Sequence, residues 1–265
     1  MPTKLTDEQL TKKILDISSH ISSVMNNYYL KEFGRLHNIS DEYNTFELKQ
    51  EMIAKRGLFP GAKKKYAFHI TNMEGVNVDE LDIKGLVTQR SDYSALTKER
   101  ILTLIKMLCK EETIVWSEIK TFIQNTRNEF IKLCRERRKE IGRPVSFSKS
   151  LEDYKKIPSH VIGMDLWNQT MYHHFEQGVK GYAFRIKGLD ANICPAGSVD
   201  LFHRLGKPNF VVMPFEEERL PDFFILDEEE ILNFCWNDRI KELLDCVWEK
   251  VEPRTAIKKA ALKFD

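Results

Sequence analysis

Residues Gly61 to Asp92 read GAKKKYAFHI TNMEGVNVDE LDIKGLVTQR SD. Tyr66, Phe68 and Ile70 alternate with Ala67 and His69, the period of a half-buried strand. Asn72 to Asn77, with Gly75 inside, has turn chemistry. Leu81, Ile83, Gly85 and Val87 then alternate in a second strand, and two strands a short turn apart predict an antiparallel pair. Upstream, Met52 and Ile53 form a short apolar run before Gly57, Pro60 and Gly61 turn the chain.

On either side of this sheet-like stretch the period becomes helical. Thr6 and Gln9 have capping-box spacing, and Leu10, Ile14, Ile17, Ile21, Val24 and Tyr28 form one apolar stripe, with Ser18, Ser22 and Asn26 on the other face. That stripe needs a covering surface, in this chain or on another. After Ser94, Thr97 is placed to cap a helix carrying Ile101, Leu104, Ile105 and Leu108. A longer helix with Ile119, Phe122, Ile123, Phe130 and Leu133 runs on towards Gly142 and Pro144. Val145 to Ser159 reads as irregular. Tyr182, Phe184 and Ile186 alternate, Phe210 to Met213 reads as a strand closed by Pro214, and Asp227 with Glu230 caps a helix through Ile231 and Phe234. Ile240, Leu243, Leu244, Val247 and Val251 stripe a last helix that Pro253 closes. These elements predict an α+β fold: antiparallel strands with a packed helix over 1–94, then a mainly helical part with a small β region over 95–265.

The 265 residues are 42% hydrophobic and 31% charged, a composition that excludes a disordered chain. No run of about 18 apolar residues is present to span a membrane, and the first ten residues lack a signal-peptide core. Cys109, Cys134, Cys194, Cys235 and Cys246 are odd in number and never form a CxxC pair, which argues against a disulfide framework or zinc ribbon. The adjacent His173 and His174 lack a metal-motif context.

The net charge is +1, so any polyanion site requires local asymmetry. Lys55, Arg56, Lys63, Lys64 and Lys65 fall in an acid-free stretch from Lys55 to Asn72. A lysine run is ordinarily a solvated face, but this one is held between a turn and a strand. Alternation places Lys64 and Tyr66 on one face, where an ammonium and a phenol can meet a phosphate, a sugar or a base edge. A second basic cluster, Lys132, Arg135, Arg137, Arg138, Lys139 and Arg143, lies at a helix C-terminus, where cations suit the dipole. Lys149, Lys155 and Lys156 extend it beside Ser146, Ser148 and Ser150, a phosphate-positioning set of side chains. The acidic stretches Glu216 to Glu218 and Asp227 to Glu230 are expected to face away from any polyanion. No phosphate loop, GxGxxG or nucleophile elbow is present, and Asp79, Glu80 and Asp82 make no two-metal site. The residues alone thus favour a binding or assembly role.

The stretch from Gly61 to Arg90 resembles family B DNA polymerases, especially the replicative enzymes of T4-type bacteriophages. That family has a KKRY-like motif entering a palm strand, then a hairpin, then a KGxExxR-type strand leading to the thumb. Lys63, Lys64, Tyr66, Lys84, Gly85 and Arg90 match it, and Val87 replaces the frequent Glu. Met25 to Asn38 is similar to the palm helix after the family's YGDTDS motif, and Glu51 to Ile53 to the strand before the lysine motif. Pro158, His160 and Val161 are similar to the thumb PxHV. Phe210 to Pro214, Trp236, Asp238 and the helix ending at Pro253 follow the order of the phage thumb.

The family's DxxSLYP, YGDTDS and KxxxNSxYG motifs and its exonuclease carboxylates are absent from this sequence. The resemblance therefore implies the C-terminal subunit of a split polymerase, palm end over 1–94 and thumb over 95–265, acting in the cytoplasm of an infected bacterial cell. A larger partner chain would carry exonuclease, fingers and the palm carboxylates with their Mg²⁺, and this chain would bind no cofactor of its own. The DNA-binding set it implies is Lys63, Lys64, Lys65, Tyr66, Lys84, Arg90, Ser146, Ser148, Lys149, Lys155 and Lys156, on primer–template DNA. The Leu10 to Tyr28 stripe would close the palm against the partner, unless it is an internal core helix. Leu262 and Phe264 near the C-terminus are the only anchors for a sliding clamp. A stand-alone DNA-binding replication accessory protein and a helical adaptor remain as alternatives.

Overall fold

Thr6 and Gln9 form the predicted capping box. The Thr6 hydroxyl accepts from the Gln9 N–H at 3.3 Å, and the Gln9 side chain accepts from the Thr6 N–H at 3.1 Å. This capping opens α1 (Asp7–Val24) in a computed structural model that describes residues 6–60, 63–111, 113–147, 154–172 and 178–244. Gly61, Ser148, Lys149, Ser150, His173, His174, Cys246, Val247, Val251, Pro253, Leu262 and Phe264 lie outside the described residues. The chain divides into two units, Met1–Gly57 with Ala67–Asp82, and Leu58–Tyr66 with Ile83–Asp265.

In the first unit a π-helical turn at Met25–Tyr29 joins α1 to α2 (Leu30–Leu36). The stripe is not an internal core helix. Leu10, Ile17, Ile21, Val24 and Tyr28 are exposed, and α1 has no buried residue. The better covered side holds Ser18, Ser22 and Asn26 beside Ile14 and Leu15. The Asn26 amide explains this orientation: it accepts from the Leu48 N–H at 2.7 Å and donates to the Leu48 carbonyl at 2.9 Å, satisfying an extended segment's backbone. Strands β1 (Met52–Leu58), β2 (Tyr66–Met73) and β3 (Val76–Lys84) form a sheet in that order. The β2–β3 hairpin turns through Glu74 at φ 50° and Gly75 at φ 87°, both left-handed, which matches the twist of the strands it joins. The buried Asn72 side chain accepts from the Gly75 N–H and donates to Asn77, each at 3.0 Å. Ile53, Ala67 and Ile70 are the buried apolar side chains among the described residues of this unit.

The second unit opens its helices with α3 (Ala95–Cys109), whose N-cap is Ser94 and not Thr97. Ser94 has extended backbone and accepts from the Thr97 N–H at 3.2 Å, while Thr97 is buried in the first turn. Helix α4 (Trp116–Arg135) stops well short of Gly142. Arg137 adopts φ 56°, and the Arg138 N–H closes a 3.0 Å bond to the Leu133 carbonyl, a Schellman ending. The Arg137 side chain stabilises that ending: it donates to the carbonyls of Phe224 at 2.5 Å and Pro221 at 3.4 Å and pairs with Asp222 at 3.1 Å. Burial holds its guanidinium below the ordinary arginine pKa. Arg137→Ala should cost about 2 kcal/mol in denaturant unfolding, because two carbonyls and a carboxylate lose one charged donor. A midpoint equal to wild type would show that the latch contributes nothing.

Residues Arg143–Ser146, expected to be partly irregular, form strand β4. It pairs antiparallel with β5 (Lys180–Leu189) in the register Arg143↔Ala183 to Ser146↔Lys180. Four residues with Pro144 inside carry no readable alternation, and an edge position tolerates the missing N–H. Strand β6 (Phe210–Pro214) pairs with β5 on the other side, and β7 (Phe224–Leu226) extends the pairing. Helix α5 (Ser159–Met171) packs on β6, with Gly163 so close that a Cβ there would stand 2.6 Å from the Phe210 carbonyl oxygen. Beyond α6 (Ser198–Arg204), Asp227 caps α7 (Glu228–Leu232) as predicted, and a π-helical turn at Asn233–Asn237 leads into α8 (Asp238–Leu244). The fully buried Trp236 anchors the helical core between Phe122 and Phe130, its indole N–H donating to the Ile123 carbonyl at 3.2 Å. The result is an α+β protein with antiparallel sheets.

Candidate nucleic-acid interface

The lysine motif and the KG segment meet within the second unit. Lys64 has φ 63° and Gly85 has φ 68°. A Cβ on Gly85 would lie 2.5 Å from the Lys64 carbonyl oxygen and 3.1 Å from Lys65 Cγ. Only glycine permits this approach at a left-handed position. The ammonium of Lys84 stands 5.6 Å from the centroid of the Tyr66 ring, within cation–π range. Lys63 and Lys64 are exposed and have no ion-pair partner among the described residues. Four cationic or phenolic groups thus gather on one turn.

Lys65 and Arg90 are engaged by carboxylates. Lys65 pairs with Glu242, which also accepts from Arg239 at 3.1 Å. Arg90 forks onto Asp92 at 2.9 and 2.8 Å, and Arg143 reaches the same carboxylate at 3.2 Å. The fork raises the Arg90 pKa and holds that of Asp92 below the usual carboxylate range. Behind them the Tyr93 and Phe234 rings stack at 4.6 Å, with Arg90 and Arg239 over Tyr93 and Arg143 over Phe234. This ladder was invisible to motif reading because Glu242 lies 177 residues from Lys65. The Arg90–Asp92 spacing was the one local signal for it.

Ser146 ends β4 opposite Lys180, and Lys155 and Lys156 are exposed ahead of α5. The second basic cluster does not stand apart from the acids, contrary to expectation. Within the cluster, Glu218 pairs with Lys139 at 2.5 Å and Arg138 at 3.5 Å, and Asp222 with Arg137; Asp227 pairs with Lys187, outside it. The Lys139 hydrogen bond pulls the Glu218 pKa down, and the same bond raises that of Lys139. The cations at the end of α4 therefore serve largely to close this unit on itself. Among the described residues, no group of three or more His, Cys, Asp or Glu side chains is placed to hold a metal ion, and no helix is long and apolar enough to cross a membrane.

No family model matches this sequence, and no curated protein matches it. Among solved structures, the family B DNA polymerase from the hyperthermophilic archaeon Pyrobaculum calidifontis is similar over 84% of this chain, at 17% identity and a TM-score of 0.44. The match spans 24% of that polymerase's length.

Proposed function

We propose that this chain is the DNA-gripping subunit of a split DNA-directed DNA polymerase of phage replication, acting in the cytoplasm of an infected bacterium. Residues 1–94 would complete the palm and 95–265 would form the thumb. One observation carries the reading: the two halves of the motif quoted above, Lys64 with Tyr66 and Lys84 with Gly85, pack into a single turn. Lys64 and Tyr66 hold the primer-end duplex, with Lys63 and Lys84 beside them. Lys65 and Arg90 brace that turn through Glu242 and Asp92. Ser146, Ser148, Lys149, Lys155 and Lys156 follow the duplex phosphates, which gives affinity without sequence preference. The larger partner chain holds the carboxylates and Mg²⁺ that perform nucleotidyl transfer, and a sliding clamp would dock on Leu262 and Phe264.

The test is primer extension by the assembled enzyme. Lys64→Ala and Tyr66→Ala should leave assembly intact and each lower extension about tenfold, the weight of one charge-assisted or base-edge contact. Normal extension by both variants would remove the assignment. Tight duplex binding by the chain alone, without any polymerase partner, would instead make it an accessory protein.

A further inference from the structure

The apolar stripe of α1 has the spacing of a heptad seam. Leu10, Ile14, Ile17, Ile21, Val24 and Tyr28 recur at alternating steps of four and three, the period of a helix that packs along another helix. A helix resting on a broad core ordinarily carries a wider apolar arc. The π-helical turn at Met25–Tyr29 lengthens this seam. Its one extra residue sets the helix back by about 100°. Before the turn, Leu15, Ser18, Ser22 and Asn26 hold the better covered side. After it that side passes to Leu30 and Gly34, where Asn44 packs on Gly34 and donates to the Leu30 carbonyl at 3.0 Å. An unbroken α-helix would turn Tyr29, Phe33 and Leu36 onto the covered side. Instead all three are exposed in line with the seam, Leu36 to 68%. The apolar strip thus runs from Leu10 to Leu36, about 40 Å at the rise of a helix. A helix laid along all of it buries on the order of 800 Å² per partner, the size of a stable interface, whereas a helix crossing it steeply touches a short part.

The two edges of the seam differ. Thr11, Ser18 and Met25 on one edge are partly covered. The other edge carries Lys13, His20 and Asn27 at seven-residue spacing, all exposed. Among the described residues neither Lys13 nor His20 has an ion-pair partner, and Asp16, the nearest acid in sequence, lies further round the helix. A helix approaching from that open edge meets basic and neutral groups, which suit acidic side chains. A second copy of this chain would present the same acid-free edge, which makes it the poorer match. We propose that the strip docks a single helix of the larger chain, laid along it from Leu10 to Leu36, with apolar residues at heptad spacing and acidic residues along the edge that meets Lys13 and His20. This rests on the reading that a second chain covers the stripe, and not on what that chain catalyses.

The probe is a labelled synthetic peptide of about four heptads, Ile at a, Leu at d and Glu at e and g, whose like charges keep it from pairing with itself. Titrated into the full chain, it should bind saturably by fluorescence anisotropy and gain helical circular dichroism as it binds. Ile21→Asp and Leu36→Asp lie on either side of the π turn, and each should weaken binding about tenfold, because a helix spanning both must bury each new carboxylate. Both positions are exposed, so neither substitution threatens the fold. Ser23→Asp, exposed on the same helix but off the seam, adds the same charge and should bind like wild type. Lys13→Glu should weaken binding about fivefold, and a peptide with Lys at e and g should reverse that order. Peptide binding of this kind beside failed assembly with any polymerase chain would uphold the docking strip and remove the proposed function. Absence of binding by wild type, or binding without gain of helix, overturns the proposal. So does a Leu36→Asp titration equal to wild type, since the helix would then stop at the π turn. A dimer of the full chain in sedimentation that Ile21→Asp abolishes would give the strip to a second copy and overturn it as well.

Discussion

Gly85→Ala is expected to lower stability by about 3 kcal/mol, combining a left-handed backbone penalty of about 1–2 kcal/mol with a steric cost of similar size. The position sits at φ 68°, and the added carbon would press on a backbone oxygen, that of Lys64, which cannot rotate away. Relief must come from moving one of the two segments, and with it Lys64 and Lys84. On the proposed function, denaturant midpoints and DNA binding should therefore fall together. Lys64→Gly is the counterpart. It removes a side chain from a second left-handed position, so the chain should be at least as stable as wild type. It also removes the ammonium, so DNA binding should fall while stability does not. An unchanged midpoint in Gly85→Ala would mean that the two segments slide apart at no cost, and the shared turn would lose its standing as a preformed site.

The elements that sequence reading located are those whose signals are local. The Thr6 box, the Asn72 to Asn77 turn and the Asp227 cap rest on contacts within a few residues, and strands β5 and β6 carry their own apolar alternation or run. The misplaced features depend on distant partners. The end of α4 is set by Arg137 reaching carbonyls 84 and 87 residues away. Strand β4 exists because β5 offers it a ladder, not because RPVS has strand periodicity. The expected separation of acids from bases failed for the same reason, since Glu218 meets Lys139 across 79 residues. At the candidate site, the motif located Lys64, Tyr66, Lys84 and Gly85. Which of its cations are bound by carboxylates was decided by Asp92 and Glu242, residues no motif marked.

Placing aspartates at Ile17 and Ile21 should abolish assembly with the proposed partner chain while leaving this chain's own stability within about 0.5 kcal/mol of wild type. Periodicity identified the apolar face of α1 but not the direction in which it points. Ile17 is 59% exposed and Ile21 50%, so neither side chain contributes much to an internal core, and charge there costs the isolated chain little. The same face covered by an apolar partner surface would bury two unpaired carboxylates, and binding should weaken about a hundredfold or more. Co-purification of the double variant with the larger chain, beside a denaturation curve of the variant alone, reads both quantities. Loss of stability in the isolated variant would return the stripe to this chain's own core. Retained assembly would move the interface elsewhere. The first unit supplies an independent reason to expect loss. Ile53, Ala67 and Ile70 are the apolar side chains buried among its described residues, far too few to offset the ordering of two helices and three strands. On the proposed reading, the partner surface that covers that stripe would contribute most of this segment's stability.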